Sequence, residues 1–149
     1  MSALERVLYS AVATADLGRE GRVATDDGRL DVALSKPPGM GGGPTSEGTN
    51  PEQLFAAGYA GCFHGALLFH ARSAGVDADD SDVTATVHIG RLPADGGLGL
   101  AVELNVRLPG VDPNAVEDLV ARAHESCPYS RATRGNISVT IHTATPGPA

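Results

Sequence analysis

The rhythm of apolar and polar positions changes repeatedly along this chain, and each change marks an element. Val7 to Ala15 alternates loosely around Val7, Leu8, Tyr9 and Val12, which predicts a first strand. Gly21 to Thr25 and Leu30 to Leu34 read as two more, joined by Asp26-Asp27-Gly28, a hairpin signal. Lys36 to Gly48 collects prolines and glycines that neither a helix nor a central strand tolerates, so it reads as a long loop. Asn50-Pro51-Glu52-Gln53 is then a helix start, with a capping side chain, a proline at the first helical position and an acidic residue at the positive end of the dipole.

From Leu54 to Phe69 there is no Asp, Glu, Lys or Arg. A helix without a charged face is expected to be buried almost all round, which makes this the central helix. Phe55, Cys62 and Phe69 recur at intervals of seven, while Gly58, Gly61 and Gly65 fall on an adjoining stripe. Each helical glycine costs about 1 kcal/mol relative to alanine, so three together predict a backbone packed closely against them, from a second helix or a partner subunit.

Val83 to Ile89 and Leu98 to Leu108 form a second pair of strands around the turn Leu92 to Gly97, with Val102, Leu104, Val106 and Leu108 on one face. Asp112-Pro113 opens a helix with Val116, Leu119, Val120 and Ala123 on its apolar side, running to about Ser126. Pro128 disfavours helical dihedrals at Cys127, placing that residue at the helix exit. Ile137 to His142 is a last strand, and Thr143 to Ala149 a frayed tail. The order βββ-α-ββ-α-β, strands in runs separated by single helices, predicts an α+β fold with antiparallel strands.

Composition sets the frame. A chain of 149 residues, 42% hydrophobic, suits one domain with a sizeable core. The formal charge of −7 and the lack of clustered Lys and Arg argue against a nucleic-acid partner. The first ten residues lack the basic region, apolar run and cleavage site of a secretory signal, and the longest uncharged run is too short and glycine-rich for a membrane span. A cytoplasmic protein is therefore expected, without a membrane partner. In a reducing cytosol its two cysteines, Cys62 and Cys127, are either small buried apolar residues or a pair whose disulfide is transient.

Thr49-Asn-Pro-Glu-Gln-Leu-Phe-Ala-Ala-Gly-Tyr-Ala-Gly-Cys62 and Cys127-Pro-Tyr-Ser-Arg-Ala-Thr-Arg-Gly-Asn136 resemble the organic hydroperoxide resistance proteins of the Ohr/OsmC family, and the likeness extends from Leu4 to the last strand. The resemblance implies an intertwined, cytoplasmic homodimer that reduces alkyl and lipid hydroperoxides to alcohols. It implies no bound cofactor and no metal, with recycling by an external dithiol, a lipoyl group on another protein. On the matching positions Cys62 would be the peroxidatic thiol, Cys127 the resolving thiol, and Arg19 with Glu52 the charged pair that activates Cys62. The chain departs from the family at Arg131, where an asparagine is usual, and at His64, where an apolar residue is usual.

The chemistry suits those residue types. An unperturbed thiol with pKa about 8.5 is only a few per cent ionised at neutral pH, and cleaving an O–O bond needs the thiolate. Cys62 lies well beyond the first turn, where the helix dipole acts, and apolar surroundings raise its pKa, so a cation is needed. Arg19 stays charged when buried and can be held fork to fork by a carboxylate such as Glu52. Ten residues of helix span about 15 Å, so Glu52 cannot reach Cys62 of the same straight helix; either the helix is broken or Glu52 comes from a second subunit. Phe55, Phe63, Phe69 and Tyr129 are candidates to line an apolar substrate channel.

Two other readings use the same residues. Cys62, His64, His124 and Cys127 are acceptable zinc ligand types, but their spacings match no strong zinc pattern. A small dimeric ligand-binding protein, in which the cysteines only pack, would keep its function in a Cys62→Ser variant.

Overall fold

The computed structural model describes residues 3–144. Two compact units divide the chain, Met1–Pro51 and Glu52–Ala149.

The first unit is an antiparallel meander of β1 (Ala13–Asp16), β2 (Arg22–Thr25) and β3 (Asp31–Ala33). Ala13 pairs with Thr25 and Asp16 with Arg22. The strand predicted from Val7 is thus shorter than its alternation suggested. Asp26 N–H still reaches the Val12 carbonyl at 3.1 Å, but the turn at Asp26-Asp27-Gly28 then carries the backbone away, and Val7, Leu8 and Tyr9 stay exposed. Between β1 and β2, Leu17 and Gly18 adopt left-handed dihedrals and lead into one turn of 3-10 helix, Gly18–Glu20, on which Arg19 sits half-buried. The turn closes so tightly that a Cβ at Gly21 would lie 2.1 Å from the Asp16 carbonyl oxygen, so only glycine fits. The loop after β3 is pinned at its ends by Thr49 N–H to Ala33 O (2.9 Å) and Ser35 N–H to Thr49 O (2.9 Å).

The second unit is built on α1 (Pro51–Ser73), an unbroken helix of 23 residues. It is long and apolar enough, by length and composition, to cross a membrane, which the shorter uncharged run did not suggest. Its Tyr59, Phe63, Leu67 and Ala71, four residues apart, instead enter the core. β4 (Asp82–Arg91) and β5 (Leu98–Arg107) form the expected hairpin, and β6 (Val139–Thr143) lies on the other side of β5. That last pair is parallel rather than antiparallel. The connection that follows β5 carries two helices, α2 (Pro113–Ser126) and α3 (Pro128–Thr133), and such a crossover brings the chain back to run in the same direction.

Val102, Leu104 and Val106 of β5 alternate inward with at most 1% of their surface exposed, and meet Val116, Leu119, Val120 and Ala123 of α2 in one core with α1. Asp112 caps α2, its carboxylate accepting from the N–H groups of Asn114 and Ala115. The short α3 was not foreseen. Pro128 ends α2 as predicted, but a proline at a first helical position also starts the next helix. Within one copy of the chain only the four-residue stripe of α1 is fully buried, and Phe69 is left 64% exposed. Thr143, expected to begin the tail, is instead the last residue of β6, where it pairs with Val106, and from residue 145 on that tail lies outside the described residues.

Candidate active site

Cys62 stands on α1 beside the buried stripe and is half-buried, whereas Cys127, at the α2–α3 junction, is completely buried. Both are free thiols. Their sulfurs lie 3.5 Å apart, with the Cys127 S–H donating to Cys62. A disulfide bond is about 2.05 Å long, so bonding requires an approach of only about 1.5 Å.

Pro128 arranges this meeting. It holds Cys127 in an extended conformation (φ −59°, ψ 123°), which turns the chain between the two helices. Since proline has no N–H, the next donor is that of Tyr129, whose backbone hydrogen bond to Cys62 favours the thiolate. Burial outweighs it and pushes the Cys62 thiol up from its ordinary value, and the neighbouring Cys127 raises it further.

The ring of Tyr129 packs on Phe55 and Tyr59, with centroids 5.9 and 5.7 Å away. It lies directly over Gly58, where an added Cβ would come within 2.7 Å of the Tyr129 hydroxyl. At Gly58 the close neighbour predicted from the glycine stripe is an aromatic ring, while beside Gly61 and Gly65, among the described residues, a Cβ would meet nothing within 4 Å beyond the helix itself. Phe55 and Tyr129 also line a cleft of about 830 Å³ together with Leu92, Leu98, Leu100 and Ile137. Phe63 is sealed in the core and the exposed Phe69 ring packs edge-on against His70, so neither lines this cleft.

The two departures have local explanations. Ser81 donates its hydroxyl to the Ala78 carbonyl (2.6 Å), leaving its oxygen to accept from His64 Nε2 at 2.9 Å. Arg131 donates through Nε to the Glu125 carbonyl (3.1 Å), capping the end of α2. His124 Nδ1 is shared with Ser130 Oγ at 2.9 Å. Among the described residues no group of three or more His, Cys, Asp and Glu side chains could hold a metal ion.

Glu52 is half-buried in the first turn of α1. Because α1 is unbroken, the alternative of a broken helix bringing Glu52 back to its own Cys62 is removed. What sequence reasoning missed is that Tyr59, Ser130, Thr133 and His124 join into one hydrogen-bonded set beside the Cys127 turn. Its signal was faint, two hydroxyl residues three apart on a helix whose existence hung on one proline.

An α+β fold that sets a pair of free thiols between a long helix and a proline turn has known relatives. The family model described as OsmC-like protein matches residues 42–142. An organic hydroperoxide resistance protein from Xanthomonas axonopodis pv. citri is 49% identical over 142 residues, covering 95% of this chain and 98% of that protein. Among solved structures, an organic hydroperoxide resistance protein from Legionella pneumophila superposes with a TM-score of 0.87 at 41% identity, covering 94% of this chain and all of that one. A second, from Vibrio cholerae with captopril bound in one of its active sites, gives 0.86 at 45% identity over 93% of this chain and 94% of that one. The chain belongs to the OsmC-like family, in its organic hydroperoxide resistance branch.

Proposed function

We propose that this protein is a thiol peroxidase that detoxifies organic hydroperoxides, reducing alkyl and lipid hydroperoxides to alcohols. The observation that carries the reading is the 3.5 Å separation of the Cys62 and Cys127 sulfurs at a hinge between two helices. The names of the relatives support the substrate class.

The Cys62 thiolate attacks the distal peroxide oxygen. The O–O bond breaks, the alkoxide leaves and takes a proton to become the alcohol, and Cys62 becomes a sulfenic acid. Cys127 then attacks the Cys62 sulfur, the hydroxyl leaves as water with the Cys127 proton, and a disulfide forms. An external dithiol, a lipoyl group carried by another protein, restores both thiols and is itself oxidised to a disulfide. No bound cofactor or metal enters the cycle.

Since burial pushes the Cys62 thiol up, a cation has to favour the anion. Arg19 fills that role with Glu52 orienting it, and Glu52, which the unbroken α1 holds away from its own Cys62, comes from a second copy of the chain. The exposed Leu4, Val7, Leu8, Tyr9 and Leu17 of the first unit, and Phe69 on α1, support a homodimer as the working form. The remaining placements are a cytoplasmic protein with no nucleic-acid and no membrane partner. The apolar cleft walled by Phe55 and Tyr129 suits a hydrocarbon tail.

The test is a coupled assay with an alkyl hydroperoxide or hydrogen peroxide, using dihydrolipoamide or glutathione in turn. Turnover is expected with the alkyl hydroperoxide and dihydrolipoamide, lost in Cys62→Ser. In Cys127→Ser one equivalent should be consumed before stalling. Inactivity of the parent in all four combinations sinks the reading.

A further inference from the structure

Beside the Cys127 turn lies a buried polar cluster that the cycle above leaves unused. Ser130 has no exposed surface, and its Oγ lies 2.9 Å from the Tyr59 hydroxyl and 2.9 Å from His124 Nδ1. The Tyr59 hydroxyl, also fully buried, lies 3.2 Å from Thr133 Oγ1, which in turn donates to the Tyr129 carbonyl at 3.0 Å. One serine hydroxyl therefore joins all three helices, α1 through Tyr59, α2 through His124 and α3 through its own backbone. No buried side-chain nitrogen or oxygen among the described residues lacks a partner, so the chain of bonds is complete.

We propose that Ser130 is a positioning residue for the resolving step: its hydroxyl, shared between Tyr59 and His124, holds the Cys127-Pro128-Tyr129 turn where the Cys127 sulfur can close on Cys62. This rests on the peroxidase reading for its biological meaning, but the geometry concerns closure of the thiol pair itself.

Three observations lead there. A helix of six residues is far too short to be stable alone, so the place of α3, and of Cys127 at its cap, is set by tertiary bonds. Ser130 follows Cys127 by three residues and is one helical turn from it, so a tie at Ser130 is transmitted directly to the sulfur. The same turn carries the Tyr129 N–H that bonds to Cys62, which makes Ser130 the anchor common to both contacts on that sulfur. A hydroxyl suits the place better than a methyl group, because it alone can bond an acceptor and a donor in the same buried space. Without it, Tyr59 keeps Thr133 but the link from α1 through α3 to α2 is cut, and His124 Nδ1 loses the Ser130 hydroxyl.

The test uses full-length reduced protein and a small aromatic disulfide, 5,5′-dithiobis(2-nitrobenzoate), which needs no peroxide. The first thiolate to attack releases one chromophore and leaves a mixed disulfide on Cys62. Cys127 then attacks that bond and releases a second chromophore, so attack and closure appear as two phases. Ser130→Ala is expected to keep the first phase within about twofold and slow the second by about tenfold or more, the scale on which misplacing a reacting atom acts. Ser130→Thr, which retains the hydroxyl, should recover the second phase. Tyr59→Phe, removing the other end of the bond, should slow it by less and also serves if Ser130→Ala does not fold.

A second phase unchanged in Ser130→Ala, or both phases slowed alike with no rescue by threonine, overturns the proposal. A parallel arm exposes the variants to an alkyl hydroperoxide and measures sulfinic acid on Cys62 by mass spectrometry; slower closure should lower the peroxide dose at which it appears. Should the parent fail to react with hydroperoxide while closure still depends on Ser130, the peroxidase reading falls and the positioning role stands.

Discussion

The two units of this molecule are held by different physics. Residues 1–51 contain one buried side chain among those described, Leu34, and take their form from turns: the tight Leu17-Gly18 reversal, the hairpin at Asp27, and an exposed ion pair between Arg22 and Asp31. Residues 52–144 close around a core that includes Tyr59, Phe63, Leu104, Leu119 and Cys127, all at most 2% exposed. Local backbone chemistry is enough to shape a meander, but burial is what makes a structure resist perturbation. The residues proposed for the chemistry are divided the same way: Arg19 lies half-buried on a turn of the first unit, while the two sulfurs, 3.5 Å apart, are set in the packed one.

The largest blow to this contrast should come from Leu104→Ala. Truncating a fully buried leucine should cost about 2–5 kcal/mol, read as a lower midpoint in urea. A change no greater than that of a surface variant would erase the distinction between the units.

Arg19→Ala tests the division of chemistry rather than of stability. Burial already holds the Cys62 thiol above its ordinary value, so removing the cation should move the midpoint of iodoacetamide alkylation against pH further upward and slow the reaction at pH 7. An unshifted midpoint would remove Arg19 from the site.

His124 gives a smaller, pH-dependent effect. Burial first, and the Arg134 charge second, lower its pKa from 6.5, so the fold favours the neutral ring. The associated stability is complete above pH 6.5 and is lost as pH falls through the lowered folded value. Thermal midpoints of the parent should therefore drop more steeply than those of His124→Gln below pH 6.5, and a shallower drop in the parent would contradict the assignment. Arg22→Ala should be the mildest. Its ion pair with Asp31 is exposed on both sides, so the midpoint of unfolding should stay within error of the parent.

Elements with strong local signals were legible in advance. The alternation through Val102, Leu104 and Val106 and the Asp112-Pro113 helix start read correctly because period and cap are properties of neighbouring residues. The β4–β5 hairpin followed from the turn between them. Pro128 shows where such reading stops. Its veto on helix at Cys127 is local, but whether a new helix follows depends on Ser130 and Thr133 finding Tyr59, which lies 71 and 74 positions away in the chain. The parallel pairing of β6 and the ring of Tyr129 over Gly58 were hidden for the same reason.

The sequence by itself determined the α+β class, the order of most elements, the core face of β5 and α2, and, through its two long motifs, the family. Only the tertiary structure decided that α1 buries a single stripe, that Gly58 makes room for a ring, and that two thiols 65 residues apart lie 3.5 Å from each other. Periodicity and capping are short-range and survive in the order of residues. The meeting of Cys62 and Cys127 is long-range, produced when α1, α2 and α3 pack on one core and a buried serine ties them together.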